Sequence, residues 1–175
     1  ANNLRMTEFQ ANLLVTQMER IEQNAKIRTE NADYLSAQLR QVPGIAPARM
    51  YDGCTRNAYH LYMFRYDAKA FSGLSKSRFL SALSAEGIPA SGGYSPLNKA
   101  PHIRDALALR GYRRLFSKAE LDRWEERVQC PENDRLCQQA VWFTQNLLLG
   151  GRDDMDQIAQ AIRKIQAYSG ELAKK

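Results

Sequence analysis

Leu14, Met18, Ile21, Ala25, Ala32, Leu35 and Leu39 recur at steps of three, four or seven, with Arg28 interrupting the series. Residues at such steps share one helix face, so the pattern predicts a long helix over 8–41. At its start, Thr7 and Gln10 have the form of a capping box: the hydroxyl accepts from the N3 amide and the Gln side chain reaches back. Val42-Pro43-Gly44 stops the helix. A helix of about 34 residues spans on the order of 50 Å, longer than a small domain needs. It is expected to bridge two domains or subunits, with its other side missing from this chain.

Beyond Gly44 the period changes. Ile45 to Tyr51 reads as extended, and Asp52-Gly53 as a turn. Ala58 to Tyr66 is rich in aromatics and predicts a strand. Tyr59, Leu61, Met63 and Arg65 share one face; His60, Tyr62, Phe64 and Tyr66 share the other. Neither face is cleanly polar, so both are expected to be covered and His60 buried. Ser75 to Ala85 predicts a helix with Phe79, Leu80 and Leu83 inward, ended by Gly87. Ile88 to Ser91 is expected to be a short strand, and Gly92 to Pro96 a loop. The stretch 97–129 is irregular and basic, with short helices near 103–109 and 118–126. Arg135 to Ala140 predicts a helical turn and Val141 to Leu149 an extended segment. Gly150-Gly151 turns into a last helix over 153–168, with Met155, Ile158, Ile162 and Ile165 on its inner face. The expected fold class is α+β: a small, largely antiparallel sheet covered by helices, preceded by the long N-terminal helix.

Composition adds little to this. The chain has 175 residues, 44% hydrophobic and 25% charged, which excludes global disorder. No apolar run approaches the roughly 20 residues of a membrane span. The first residues lack the regions of a signal peptide, so a cytoplasmic location is expected. The net charge of +6 is spread thinly, and its densest cluster is Arg110, Arg113 and Arg114. No basic tract resembles a nucleic-acid tail. Cys54, Cys130 and Cys137 form no C-x-x-C pair and stand at no ligand spacing with His60 or His102, which argues against zinc. Cys130 and Cys137 could bridge in an oxidising compartment; free thiols are expected in a cytoplasmic protein. No phosphate-binding loop or dinucleotide fingerprint is present.

Asn3-Leu4-Arg5-Met6-Thr7-Glu8-Phe9-Gln10-Ala11 resembles the N-x-R-M-[ST]-E-x-Q-A signature of the DegT/DnrJ/StrS sugar aminotransferases, fold-type-I enzymes that use pyridoxal phosphate (PLP). Further matching segments follow in order: Pro43-Gly44-Ile45, Ala58 to Tyr62, Arg78-Phe79-Leu80, Ala85 to Pro89, Gly93 to Leu97, Cys130-Pro131, Leu147 to Gly150, and Asp154-Met155 with Ile158. Each motif is weak alone; their shared order is specific. The Gly-Tyr-x-Pro-Leu and Cys-Pro segments look closest to members that aminate cyclitols such as scyllo-inosose.

The resemblance implies the C-terminal small domain of such an enzyme, with residues 1–42 as interdomain helix and N-terminal motif, 43–168 as the small domain, and 169–175 as a frayed tail. It implies that the lysine that carries the cofactor lies upstream, in an N-terminal PLP domain, so no catalytic residue is expected here. A chain that begins without Met at a helix start is expected to be a fragment, inactive alone. Asn3 matches the family Asn that reaches the cofactor phosphate in the neighbouring subunit's site; an amide donates there without adding charge. Arg5 matches the adjacent Arg near the substrate, where a guanidinium gives charge-assisted bonds. Tyr94 matches the stretch that approaches the sugar. The implied reaction moves an amino group from glutamate or glutamine to a keto-sugar or cyclitol, in a homodimer. The alternative is a non-enzymatic dimerising module whose basic surface binds nucleic acid or an anionic partner.

Overall fold

The structure, a computed structural model, describes residues 5–174, with Glu125 described by its backbone alone. Thr7 caps helix α1 (Glu8–Met18) through the expected capping box, with Gln10 N–H donating to Thr7 Oγ1 at 3.3 Å and Thr7 N–H to Gln10 Oε1 at 3.0 Å. The expected single helix is divided. Arg20 N–H donates three residues back, to Gln17 O at 3.2 Å, and α2 begins at Ile21 (Ile21–Leu39). The tightened turn separates two environments. No residue of α1 is buried, whereas α2 buries Ala25, Ala32, Leu35 and Leu39. One apolar stripe in the sequence is thus half covered by this chain and half bare: Leu14, Met18 and Ile21 are 49%, 68% and 52% exposed.

Three strands, β1 (Ile45–Pro47), β2 (Leu61–Tyr66) and β3 (Ala140–Thr144), form one antiparallel sheet with β2 in the middle. Ile45 stands opposite Tyr66, Phe64 opposite Val141, and Met63 opposite Trp142. The two-residue period of a strand sends Tyr62, Phe64 and Tyr66 into the core with Val141 and Phe143. There they meet α2, α3 (Lys76–Ala85) and α9 (Arg152–Ala167), which contribute Leu35 and Leu39, Phe79 and Leu83, and Met155, Ile158, Ile162 and Ile165. Tyr66 and Phe79 stack with centroids 4.3 Å apart, and Tyr66 Oη donates to Leu74 O at 2.7 Å. Fully burying a side chain such as Phe79 contributes about 1.5–3 kcal/mol.

The opposite sheet face corrects the expectation of two covered faces. Met63 is 45% exposed and Arg65 is exposed beside it. His60 is also exposed, not buried. The cause is local: Asn57 Oδ1 accepts from Tyr59 N–H at 2.9 Å, and Tyr59 adopts a left-handed φ of 48°. A left-handed residue cannot continue a strand, so pairing begins only at Leu61.

Ser75 caps α3 by accepting from Arg78 N–H, and Gly87 closes it. Ile88 N–H donates to Leu83 O at 2.9 Å and Gly87 N–H to Ser84 O at 3.0 Å, with Gly87 at φ 81°. This is the paired-bond termination that glycine favours. The strand expected over 88–91 is reduced to an isolated bridge between Ser91 and Trp142, since Pro89 brings no N–H. Short helices α4 (Pro101–Leu107), α5 (Arg110–Leu115), α6 (Lys118–Asp122) and α7 (Trp124–Arg127) follow, then α8 (Pro131–Gln139), longer than the expected turn. The tail does not fray as expected. Ser169–Lys174 form α10, where Ser169 is buried, Arg78 donates to Ala173 O at 3.0 Å, and Leu172 packs on the core.

Candidate functional site

The loop that carries Tyr94 runs along β3 and is held at four successive residues. Ser91 and Trp142 exchange both backbone bonds at 3.0 Å. The carbonyl of Gly92 accepts from Lys76 Nζ at 2.6 Å. Gly93 has φ 85°, and a Cβ there would lie 3.3 Å from Ala140 Cβ, so the backbone passes close over β3. Tyr94 then sets its ring against Trp142, with centroids 4.8 Å apart and planes at 62°. Such an edge-on pair directs the positive ring edge at a negative ring face. Tyr94 remains 72% exposed.

Lys76 comes from the first turn of α3. Its ammonium donates to three carbonyls: Gly92 at 2.6 Å, Cys137 at 2.7 Å and Ala140 at 3.3 Å. Two of these belong to the C-terminal end of α8 and the start of β3, where helix carbonyls lack partners within the helix. Burial pushes the lysine pKa down from its ordinary value. Lys76 is the one lysine among the described residues that is not exposed. No sequence motif pointed to it, because backbone carbonyls leave no trace in side-chain pattern.

Of the residues singled out from sequence, Arg5 is exposed in the segment before Thr7, and Tyr94 stands on the open side of the sheet. Asn3 lies outside the described residues. Trp142 is half-buried on the same sheet face as Met63, and serves as the seat for Tyr94. A cavity of about 590 Å³ lies among the short helices, lined by Arg104, Arg113, Phe116, Lys118 and Trp124 among others; neither Arg5 nor Tyr94 lines it. Cys54, Cys130 and Cys137 are all free.

A model of the DegT/DnrJ/EryC1/StrS aminotransferase family matches residues 1–163. The chain belongs to this family. L-glutamine:2-deoxy-scyllo-inosose aminotransferase of Streptoalloteichus tenebrarius is 32% identical over 174 residues, covering 98% of this chain and 40% of that protein. The crystal structure of 3-amino-5-hydroxybenzoic acid synthase superposes with a TM-score of 0.71 at 25% identity, over 94% of this chain and 40% of that one. A Streptococcus pneumoniae chain solved in a PLP form shares the fold, with a TM-score of 0.61 at 17% identity, over 94% of this chain and 37% of that one. The chain thus spans about 40% of the length of such relatives.

The described residues of this DegT-family chain do not by themselves fit the carrying of PLP. The carrying group must be an amine with a free lone pair. The half-buried lysine, Lys76, instead holds its ammonium against three carbonyls. The remaining described lysines are exposed, so an imine on any of them would be open to hydrolysis. What this part of a family member offers is a rigid sheet with one open face, an aromatic pair on that face, and a helix whose apolar side is bare.

Proposed function

We propose that this chain is the small domain of a PLP-dependent aminotransferase that moves an amino group from glutamine or glutamate to a keto-sugar or cyclitol. The observation that carries this reading is the family match over 1–163 together with a chain length near 40% of the matched relatives. In the proposal, the lysine that carries the cofactor belongs to an N-terminal PLP domain, and the exposed apolar surface of α1 packs against it. Phe9, Leu13 and Val15 there are 75%, 55% and 58% exposed. Apolar surface of that extent on one helix calls for a protein partner. The assembled enzyme is a homodimer, and the role proposed for Asn3, on the family resemblance, is to bind the cofactor phosphate of the neighbouring subunit.

The substrate side falls to Arg5 and Tyr94. A guanidinium at Arg5 supplies charge-assisted, two-pronged bonds to an anionic or polar group. The Tyr94 ring supplies an apolar wall with a hydroxyl tip, suited to a ring that is polar at its rim and less so on its faces. The glutamine-dependent activity of the relative from Streptoalloteichus tenebrarius supports glutamine as donor and an inosose as acceptor.

The test is an amino-transfer assay on the protein that carries this segment, with glutamine, PLP and scyllo-inosose or its 2-deoxy form. Time-dependent appearance of the aminocyclitol is the expected result. No transfer to any keto-cyclitol or keto-sugar, with strongly salt-dependent binding to DNA or RNA, would overturn the reading in favour of a basic binding module.

A further inference from the structure

We propose that Lys76 is a positioning residue for the acceptor side of the site: it locks the Tyr94-bearing loop onto β3 and so fixes where the Tyr94 ring stands. The proposal rests on reading Tyr94 as an acceptor-binding residue.

Three structural units meet at one ammonium group. Lys76 Nζ joins the loop at Gly92 O, the end of α8 at Cys137 O and the start of β3 at Ala140 O, at 2.6, 2.7 and 3.3 Å. An ammonium has three N–H bonds spread about one axis, and three converging carbonyls use them all. A planar guanidinium could not satisfy the same cradle. The loop's other ties lie next to this point. Ser91 is bridged to Trp142 on one side, and Gly93 crosses Ala140 on the other. Gly92 also approaches α3 closely, since a Cβ there would lie 3.1 Å from Leu80 Cδ1 and 3.4 Å from Lys76 Cε. Two residues further on, Tyr94 is held by one ring contact with Trp142 and is otherwise open to solvent. Its position therefore depends on the clamp at Gly92.

The cost of the arrangement supports a purpose beyond filling space. A charged amine removed from water is unfavourable unless its bonds are replaced. A Met or Leu at position 76 would pack α3 against the loop without that cost. A charge that gathers three carbonyls fixes the loop's direction, which apolar packing does not.

The experiment compares the wild-type protein with Lys76→Met and Lys76→Arg. Amide hydrogen exchange at Ser91 and Trp142, whose N–H groups bond each other's carbonyls, should accelerate by about tenfold or more in both variants, while the amides of α9 around Ile158 and Ile162 keep their protection. In the amino-transfer assay the acceptor KM should rise while the donor KM and kcat stay near wild type. Unchanged exchange at Ser91 and Trp142 with an unchanged acceptor KM overturns the proposal. If Lys76→Met does not fold, nitrogen-15 spectra of the wild type decide. Slowly exchanging Nζ–H signals coupled to the carbonyl carbons of Gly92, Cys137 and Ala140 support the clamp; a freely exchanging ammonium without couplings overturns it. Accelerated exchange in the variants, together with no amino transfer by the wild type, would mark the failure of the aminotransferase reading and not of the clamp.

Discussion

Tyr94 stands edge-on to Trp142, its ring centroid 4.8 Å away, so a residue on a loop is registered against the third strand of the sheet. The contact is worth about 0.5–1.5 kcal/mol beyond the area it buries. It leaves most of the Tyr94 ring free for a ligand. Tyr94→Ala should therefore raise the acceptor KM by about tenfold with little change in kcat, the signature of lost binding that is equal in ground and transition states. Steady-state kinetics with varied acceptor at saturating glutamine check this. A fall in kcat at unchanged KM would place Tyr94 in the chemical step instead.

Gly44 and Gly53 separate two costs that are usually mixed. Both are left-handed, at φ 86° and 83°. A Cβ at Gly44 would lie 2.5 Å from Ala70 Cβ and 3.1 Å from Asp67 O, whereas one at Gly53 meets nothing within 4 Å. Gly53→Ala should cost about 1–2 kcal/mol, the backbone penalty alone. Gly44→Ala should cost about 1–3 kcal/mol more, because the turn between α2 and β1 must shift. Urea unfolding of the two variants measures the difference.

Asn31 is a buried amide whose Nδ2 donates to Leu148 O at 3.0 Å and Gly150 O at 2.9 Å, across 117 and 119 residues of chain. It ties α2 to the turn that launches α9. Asn31→Leu removes both donors and leaves two carbonyls unpaired at the interface, a loss of about 1–3 kcal/mol. A variant as stable as wild type would show that water satisfies those carbonyls.

Some of these features are legible in the sequence and some are not. The end of α3 was legible, because Gly87 in a left-handed conformation followed by Ile88 is a local code. The inner face of α9 was legible for the same reason: Met155, Ile158, Ile162 and Ile165 repeat at helical steps, and all are buried. The covering of β2 was not, because neither face is cleanly polar and only tertiary packing decides which is covered. The left-handed Tyr59 that exposes His60 depends on an Asn57 side chain, a signal drowned by the aromatic run after it. The order of α10 was equally hidden, since it rests on Ser72 and Arg78, distant in the chain. At the site, the family motif brought Asn3, Arg5 and Tyr94 to notice, but Lys76 and the Trp142 seat depend on carbonyls and on strand register.

Tyr62 sets a pH limit. Burial is the larger cause that pushes its phenol up to about 12, and Ser36 at 2.9 Å opposes it in part. The unfolded phenol ionises near pH 10, so between about pH 10 and 12 the native state binds more protons than the unfolded state. Stability from this group is therefore complete below pH 10 and falls as pH rises through that window. Burial raises Tyr66 as well, in the same direction. Tyr62→Phe should flatten part of the alkaline loss, seen as a smaller drop in Tm between pH 9.5 and 11 than the wild type shows, in keeping with about 1.4 kcal/mol for each unit of pKa difference.

In the function proposed above, this chain shapes the substrate side of a PLP aminotransferase and another domain carries the cofactor. A spectrophotometric PLP titration of the 175-residue chain, followed by addition of glutamine, tests it most directly. No saturable visible band is expected, because Lys76 is committed to three carbonyls and the other described lysines are exposed, where an imine is open to water. A tight, stoichiometric band that glutamine bleaches would contradict it.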